Sequence, residues 1–193
     1  MSFVKFLPVA LMVGVTAAAY LFAGAQLGIV LWVPFLTWAL FYATGPSHAM
    51  RMKRLSRNIL GAVGGTFFAA VFILLIPVLT SWGLSFPVTV AVLGFFAGTL
   101  IILLELTSWL EYATAYFVAF AGYFAYAFGA GQAQLGGYSP DNVALSVGSY
   151  ILLLLLGYAL GVITGWLRDV ILSAAKVPME SRETVFDTPK TRV

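Results

Sequence analysis

Four tyrosines recur through one apolar stretch, YATAYFVAFAGYFAY: Tyr112, Tyr116, Tyr123 and Tyr126. At about 100° per residue they fall within about 80° of one another on a helix, with Ala119 on the same face. Phe117, Phe120, Phe124 and Phe128 form an adjacent phenyl stripe. A hydroxyl in hydrocarbon without a partner costs several kcal/mol, so each phenol must find one. Two arrangements supply it. Each hydroxyl bonds a neighbouring helix or sits in an interfacial belt, which suits Tyr112 and Tyr126 near the segment ends. Or the stripe lines a narrow path for a small polar solute, which suits the deeper Tyr116 and Tyr123. A second stretch, LWVPFLTWALFYATG, adds Thr37, Trp38 and Tyr42. Pro34 removes a backbone donor and is expected to kink a helix there. Thr37 and Thr44 return hydrogen bonding to the freed carbonyls, and a deep Trp38 indole needs an acceptor. This pattern fits a cavity wall, and it also fits an ordinary kinked span.

Ionisable groups are few. Glu105 is a carboxylate placed within a span, and such residues are functional candidates by default. It lies about one turn from a helix end, within reach of Arg54 and Arg57, so an ion pair and a proton-coupling or solute-binding role both stand. Glu111 is expected to be solvated. His48 is the only histidine and cannot build a metal site by itself. Ser47 precedes it, but no acid completes a triad. Phosphate-loop, HExxH and paired-aspartate patterns are absent, and there is no cysteine. The expectation is a protein that is not an enzyme, with no cofactor, no metal and no nucleic-acid partner.

The elements that position these groups follow from composition. The chain has 193 residues, 62% hydrophobic and 9% charged, with a mean hydropathy of +1.00. A soluble domain carries about 25% charged residues, so this chain has too little polar surface to cover a globule in water. A hydrocarbon core of about 30 Å needs about 20 residues per helix. The apolar segments fit six, at roughly 6–25, 28–45, 58–79, 87–108, 110–130 and 143–172. GAQLG is read as a tight hairpin, GAGQAQLGGYSPDN as the longest outer loop, and Asp141 or Asn142 as a cap for the sixth helix.

Basic residues set orientation. Arg51, Lys53, Arg54 and Arg57 share the second connection, Lys5 precedes the first span, and the remaining five lie at or beyond the end of the sixth. Six spans place all ten on one face, which makes that face and both termini cytoplasmic. The loop cluster is also read as contacting anionic lipid. Residues 1–175 form the membrane domain and 176–193 a polar cytoplasmic tail. Lys5, the run after it and Ala23–Ala25 have the form of a signal peptide; a retained first helix is the reading taken.

Small residues recur every four positions: Ala10, Gly14 and Ala18; Gly61, Gly65 and Ala69; Gly94 and Gly98; Gly157, Gly161 and Gly165. Close backbone approach matters where water does not drive helices together. Packing within one protomer is the first use. A subunit interface is the second, above all for the three glycines of the sixth span, and a homo-oligomer is expected.

The region LGIVLWVPFLTWALFYATGPSHAMRMKRLSRNILGAVGGTFF resembles a small family of bacterial inner-membrane proteins catalogued as domain of unknown function 1097. Trp38 and Ala39 in mid-span, Phe41, Tyr42 and Gly45 at the turn, a basic connection and then Gly61, Gly64 and Gly65 carry the likeness. It extends over most of residues 28–166. The chain has YATAY where the family tends to place a Pro-Gly pair. The resemblance implies a multi-pass protein of the bacterial inner membrane and supplies no substrate.

The combined expectation is an all-α bundle of six transmembrane helices. It passes a small neutral or weakly polar solute, since few buried charges argue against a path for strongly charged ions. A non-transporting accessory or scaffold protein, binding a membrane partner or lipid, is the alternative.

Overall fold

The computed structural model describes residues 3–45, 47–129, 139 and 141–177; side chains are described from residue 6 onward. The tail beyond Val177 and nearly all of the expected outer loop lie outside the described residues. Among the described residues six α-helices follow in order: α1 (Phe3–Leu27), α2 (Val33–Ala43), α3 (His48–Ser81), α4 (Phe86–Leu103), α5 (Ala113–Phe128) and α6 (Val143–Ala174). A 3₁₀ turn, Leu104–Leu106, extends α4. Four of the helices are long and apolar enough to cross a membrane. The other two are short: α2 has 11 residues and α5 has 16. At 1.5 Å per residue they reach only about 16 and 24 Å, against a hydrocarbon core of about 30 Å.

Local chemistry explains the ends. Gly28 takes φ +66°, a left-handed conformation suited to glycine. It closes α1 with Gly28 N–H donating to Ala25 O and Ile29 N–H to Gly24 O, both at 3.1 Å. Residues 28–32 then run without helix, and Pro34 stands in the first turn of α2. There its missing N–H has no helical acceptor to leave empty. Pro34 therefore starts a short helix and does not kink a long one. The third helix begins ten residues before the expected position 58, at His48 (58 − 48). Ser47 caps it by accepting Met50 N–H at 3.2 Å, and the Ala, Met, Lys and Arg that follow are good helix formers. The basic connection is thus the first turns of α3. Asn142, of the two expected caps, accepts Leu145 N–H at 2.9 Å and opens α6.

The order of contacts gives helix directions. Along α3 and α5, Gly61 meets Ala115, Gly65 meets Tyr116, and Phe72 meets Phe120 and Phe124, so the two run parallel. Along α2 and α6, Thr37 meets Leu154 and Gly157, and Phe41 meets Gly161 and Gly165, so these are parallel too. Val9 at the start of α1 packs with Leu172 and Val177 at the end of α6, which puts both ends of the bundle's chain together.

A two-part plan emerges. Each half reads long, short, long: α1–α2–α3, then α4–α5–α6. The short helix of each half lies along the last helix of the other, α2 on α6 and α5 on α3. The first helix of each half flanks that same partner, α1 on α6 and α4 on α3. Buried positions agree: Gly61, Ala62, Gly65 and Ala69 on α3 share the spacing of Gly157, Tyr158, Gly161 and Gly165 on α6. Since each half has three helices of alternating direction, the halves are inverted relative to each other.

Candidate functional site

The two short helices are seated in glycine troughs. A Cβ on Gly157 would run into the carbonyl oxygen of Pro34 and Oγ1 of Thr37, and one on Gly161 would lie 2.9 Å from the Phe41 ring. Gly165 faces His48 Nδ1 at 2.6 Å from such a Cβ. On the other side, a Cβ on Gly61 would sit 2.8 Å from that of Ala115, and Gly65 abuts the backbone of Tyr116. Of the eight glycines singled out from their spacing, these five are consumed inside the protomer. The sixth helix's stripe is therefore occupied by α2, not free for a second subunit. Gly14, Gly94 and Gly98 have open space instead, so these glycines of α1 and α4 pack against nothing among the described residues.

With backbones this close, side-chain donors meet facing carbonyls. Thr37 Oγ1 donates to Leu154 O at 2.6 Å. Trp38 Nε1 and Tyr42 OH each lie 3.0 Å from Thr164 Oγ1, which itself donates to Leu160 O at 2.7 Å. One hydroxyl thus accepts twice and donates once, its full capacity. The structure brings Thr37, Trp38 and Tyr42 together along α6.

Tyr116 and Tyr123 lie elsewhere. The face of α5 that carries Tyr116, Ala119, Tyr123 and Tyr126 is buried, while Phe117 and Phe128 are exposed. Tyr116 packs in the α3 trough against Gly64 and Phe68. Tyr123 joins Tyr126 and Tyr150, with ring centroids 5.2 to 5.7 Å apart. Tyr150 OH donates to Ala119 O at 3.2 Å and fills the space over Gly122 beside Leu36, where α2 meets α5. Where α3 crosses α6, the Tyr158 hydroxyl lies 3.1 Å from both O and Oδ1 of Asn58. Nδ2 of Asn58 is buried and has no hydrogen-bond partner among the described residues.

Tyr150, Tyr158, Thr164 and Asn58 went unremarked in the sequence. The signal was available: Tyr150, Leu154, Tyr158 and Gly161 follow the period of one helical face, the face that carries the glycines.

At the end where the start of α1 meets the end of α6, the basic cluster divides. Arg51 is buried; its Nε donates to Gly45 O at 2.7 Å and its guanidinium lies 4.6 Å from the Tyr42 ring. Arg54 Nη1 donates to Thr44 O at 2.8 Å. Both cations serve the carbonyl end of α2, the favourable place for positive charge. Arg57 pairs with Glu111, not with Glu105 as expected. Glu105 stands exposed on the 3₁₀ turn, because the chain turns outward there before α5. Lys53 is exposed. No group of His, Cys, Asp or Glu among the described residues is placed to hold a metal ion.

Four helices long and apolar enough to cross a membrane, in an all-helical bundle closed by glycine seats, make this a membrane-like helical protein. The profile of one family, "Protein of unknown function (DUF1097)", matches residues 10–171. The chain belongs to this family. No curated protein matches it, and no solved structure does.

Proposed function

We propose that the chain crosses the bacterial inner membrane six times, with both termini cytoplasmic, and carries a small neutral or weakly polar solute by moving its two halves against each other. The observation that carries this reading is the pair of short helices, α2 and α5, at matching places in two inverted halves. Paired short or interrupted segments of this kind mark the solute site in inverted-repeat transporters. The polar groups about these helices are hydroxyls and an indole, now bonded within the bundle, and Nδ2 of Asn58, which has no partner among the described residues; exchanged on rearrangement, such donors suit an uncharged polar molecule. Trp38 and Tyr116 lie on different helix interfaces, each packed against neighbours. This supports a carrier that opens by rearrangement over a standing pore. An inverted structure supplies the second state by exchanging the conformations of its halves. The ten basic residues support the orientation. If the protein assembles with itself, Ala10, Gly14 and Ala18 on α1 offer the surface, since Gly14 faces open space.

The test is flux into liposomes over a panel of small neutral solutes. Saturable uptake is expected, with altered selectivity in Tyr116→Phe and Tyr123→Phe proteins that remain folded. The chain has no cysteine, so cysteines placed at Arg57 and Glu111 accept a bismaleimide linker cleanly. Linking the halves there is expected to stop a carrier, and cleaving the linker to restore it. A pore would go on conducting. Absence of flux across the whole panel, from folded protein, would favour the accessory or scaffold reading. That reading has its own support: Thr37, Trp38 and Tyr42 already direct their donors to partners inside the bundle.

A further inference from the structure

Where the first turns of α3 meet the turn into α5 there is a recess of about 360 Å³, lined by Met50, Lys53, Arg54, Arg57, Glu111 and Tyr112. Three cations against one carboxylate give it a formal charge of +2. Glu111 is already engaged by Arg57. Arg54 is steadied by its bond to Thr44 O, and its remaining N–H groups stay available for a second acceptor. No ion pair or hydrogen bond among the described residues engages the Lys53 ammonium. Arg51, expected in the same cluster, is turned away to Gly45 and takes no part. In the segment that leads to Glu111, the chain exposes Leu106 (85%) and Trp109 (63%). An exposed indole two residues before Glu111 is a side chain suited to the boundary between headgroups and acyl chains.

We infer that this recess binds the headgroup of an anionic phospholipid, with Lys53 and Arg54 donating to the phosphate and Leu106 and Trp109 lying along the acyl chains. The volume is at the lower end of small-ligand pockets, the size for a phosphate with a glycerol attached. A choline headgroup would bring its own cation against Lys53, Arg54 and Arg57, so the site discriminates by charge. Its occupant touches α3 of the first half and the turn of the second. The inference is independent of transport.

The experiment follows the melting temperature of the full-length protein in a neutral detergent. Short-chain phosphatidylglycerol, phosphatidylcholine and inorganic phosphate are titrated separately. Phosphatidylglycerol is expected to stabilise with saturation and phosphatidylcholine to have no such effect. Lys53→Gln should weaken the apparent affinity about fivefold, the effect of one lysine near an anionic membrane surface. Lys176→Gln, an exposed cation at the end of α6, should leave it unchanged. Lys53 is exposed on a helix, so its variant should melt like the parent without lipid, which the same assay verifies. An equal response to phosphatidylcholine, or parental affinity in Lys53→Gln, would overturn the site. Saturation by inorganic phosphate at the affinity of the lipid would overturn the lipid and leave a free-phosphate site.

Discussion

Tyr158 on α6 holds its hydroxyl 3.1 Å from Oδ1 of Asn58 on α3, so the last helices of the two halves are joined by a polar contact inside the bundle. Both residues are buried. Tyr158→Phe keeps the ring and deletes the contact. It should lower stability by about 1 kcal/mol, the scale of interhelical hydrogen bonds in membranes, read as a fall in melting temperature in detergent. An unchanged melting temperature would mean the contact adds nothing.

Glycines should divide into two groups. Gly65→Ala sets a methyl against the Tyr116 backbone, which cannot swing aside as a side chain can. Overpacking of this kind costs about 1–3 kcal/mol, and α5 should loosen on α3. Gly94→Ala meets nothing within 4 Å and should be neutral or mildly stabilising. Equal effects at the two positions would contradict the seating of α5.

The two glutamates near the turn should exchange the roles expected from sequence. Glu111→Gln breaks the pair with Arg57. Side chains 40% and 39% exposed place that pair largely in solvent, so the loss should stay below about 1 kcal/mol and shrink as salt rises. Glu105→Gln should be silent, since Glu105 is exposed on the 3₁₀ turn. Thermal melts of both variants at low and high salt decide the matter.

A reporter active only in the periplasm, fused after Val193, should stay silent if both ends of the chain are cytoplasmic. Val9 beside Leu172 and Val177 already requires the start of α1 and the end of α6 to share a side. The same reporter placed in the 130–138 segment should be active.

Composition and periodicity determined the class, the inward turn of the tyrosine face, the close-packed role of Gly61, Gly65, Gly157, Gly161 and Gly165, and the likeness to the matched family. These are properties of one helix at a time, or of the solvent it must meet, and a linear pattern carries them. Hydroxyls face inward because hydrocarbon offers them nothing, whichever neighbour accepts them. Partners were decided only by the tertiary structure. Pro34 reads as a kink inside a longer span, and only the non-helical backbone at 28–32 makes it a helix start. Arg57 had two carboxylates within sequence reach, and the outward turn at Leu104–Leu106 gave it Glu111. The stripe of α6 looked available to another subunit, yet α2 fills it, because a glycine trough takes whichever backbone the chain path brings alongside. The inverted halves stayed hidden for the same reason. Tyr150 of one half fills space beside Leu36 of the other, and beyond the glycines shared by α3 and α6 equivalent places hold unlike residues, as Ala62 against Tyr158. The repeat lies in how the helices run and which they touch, and a reading of the residues one by one does not contain that.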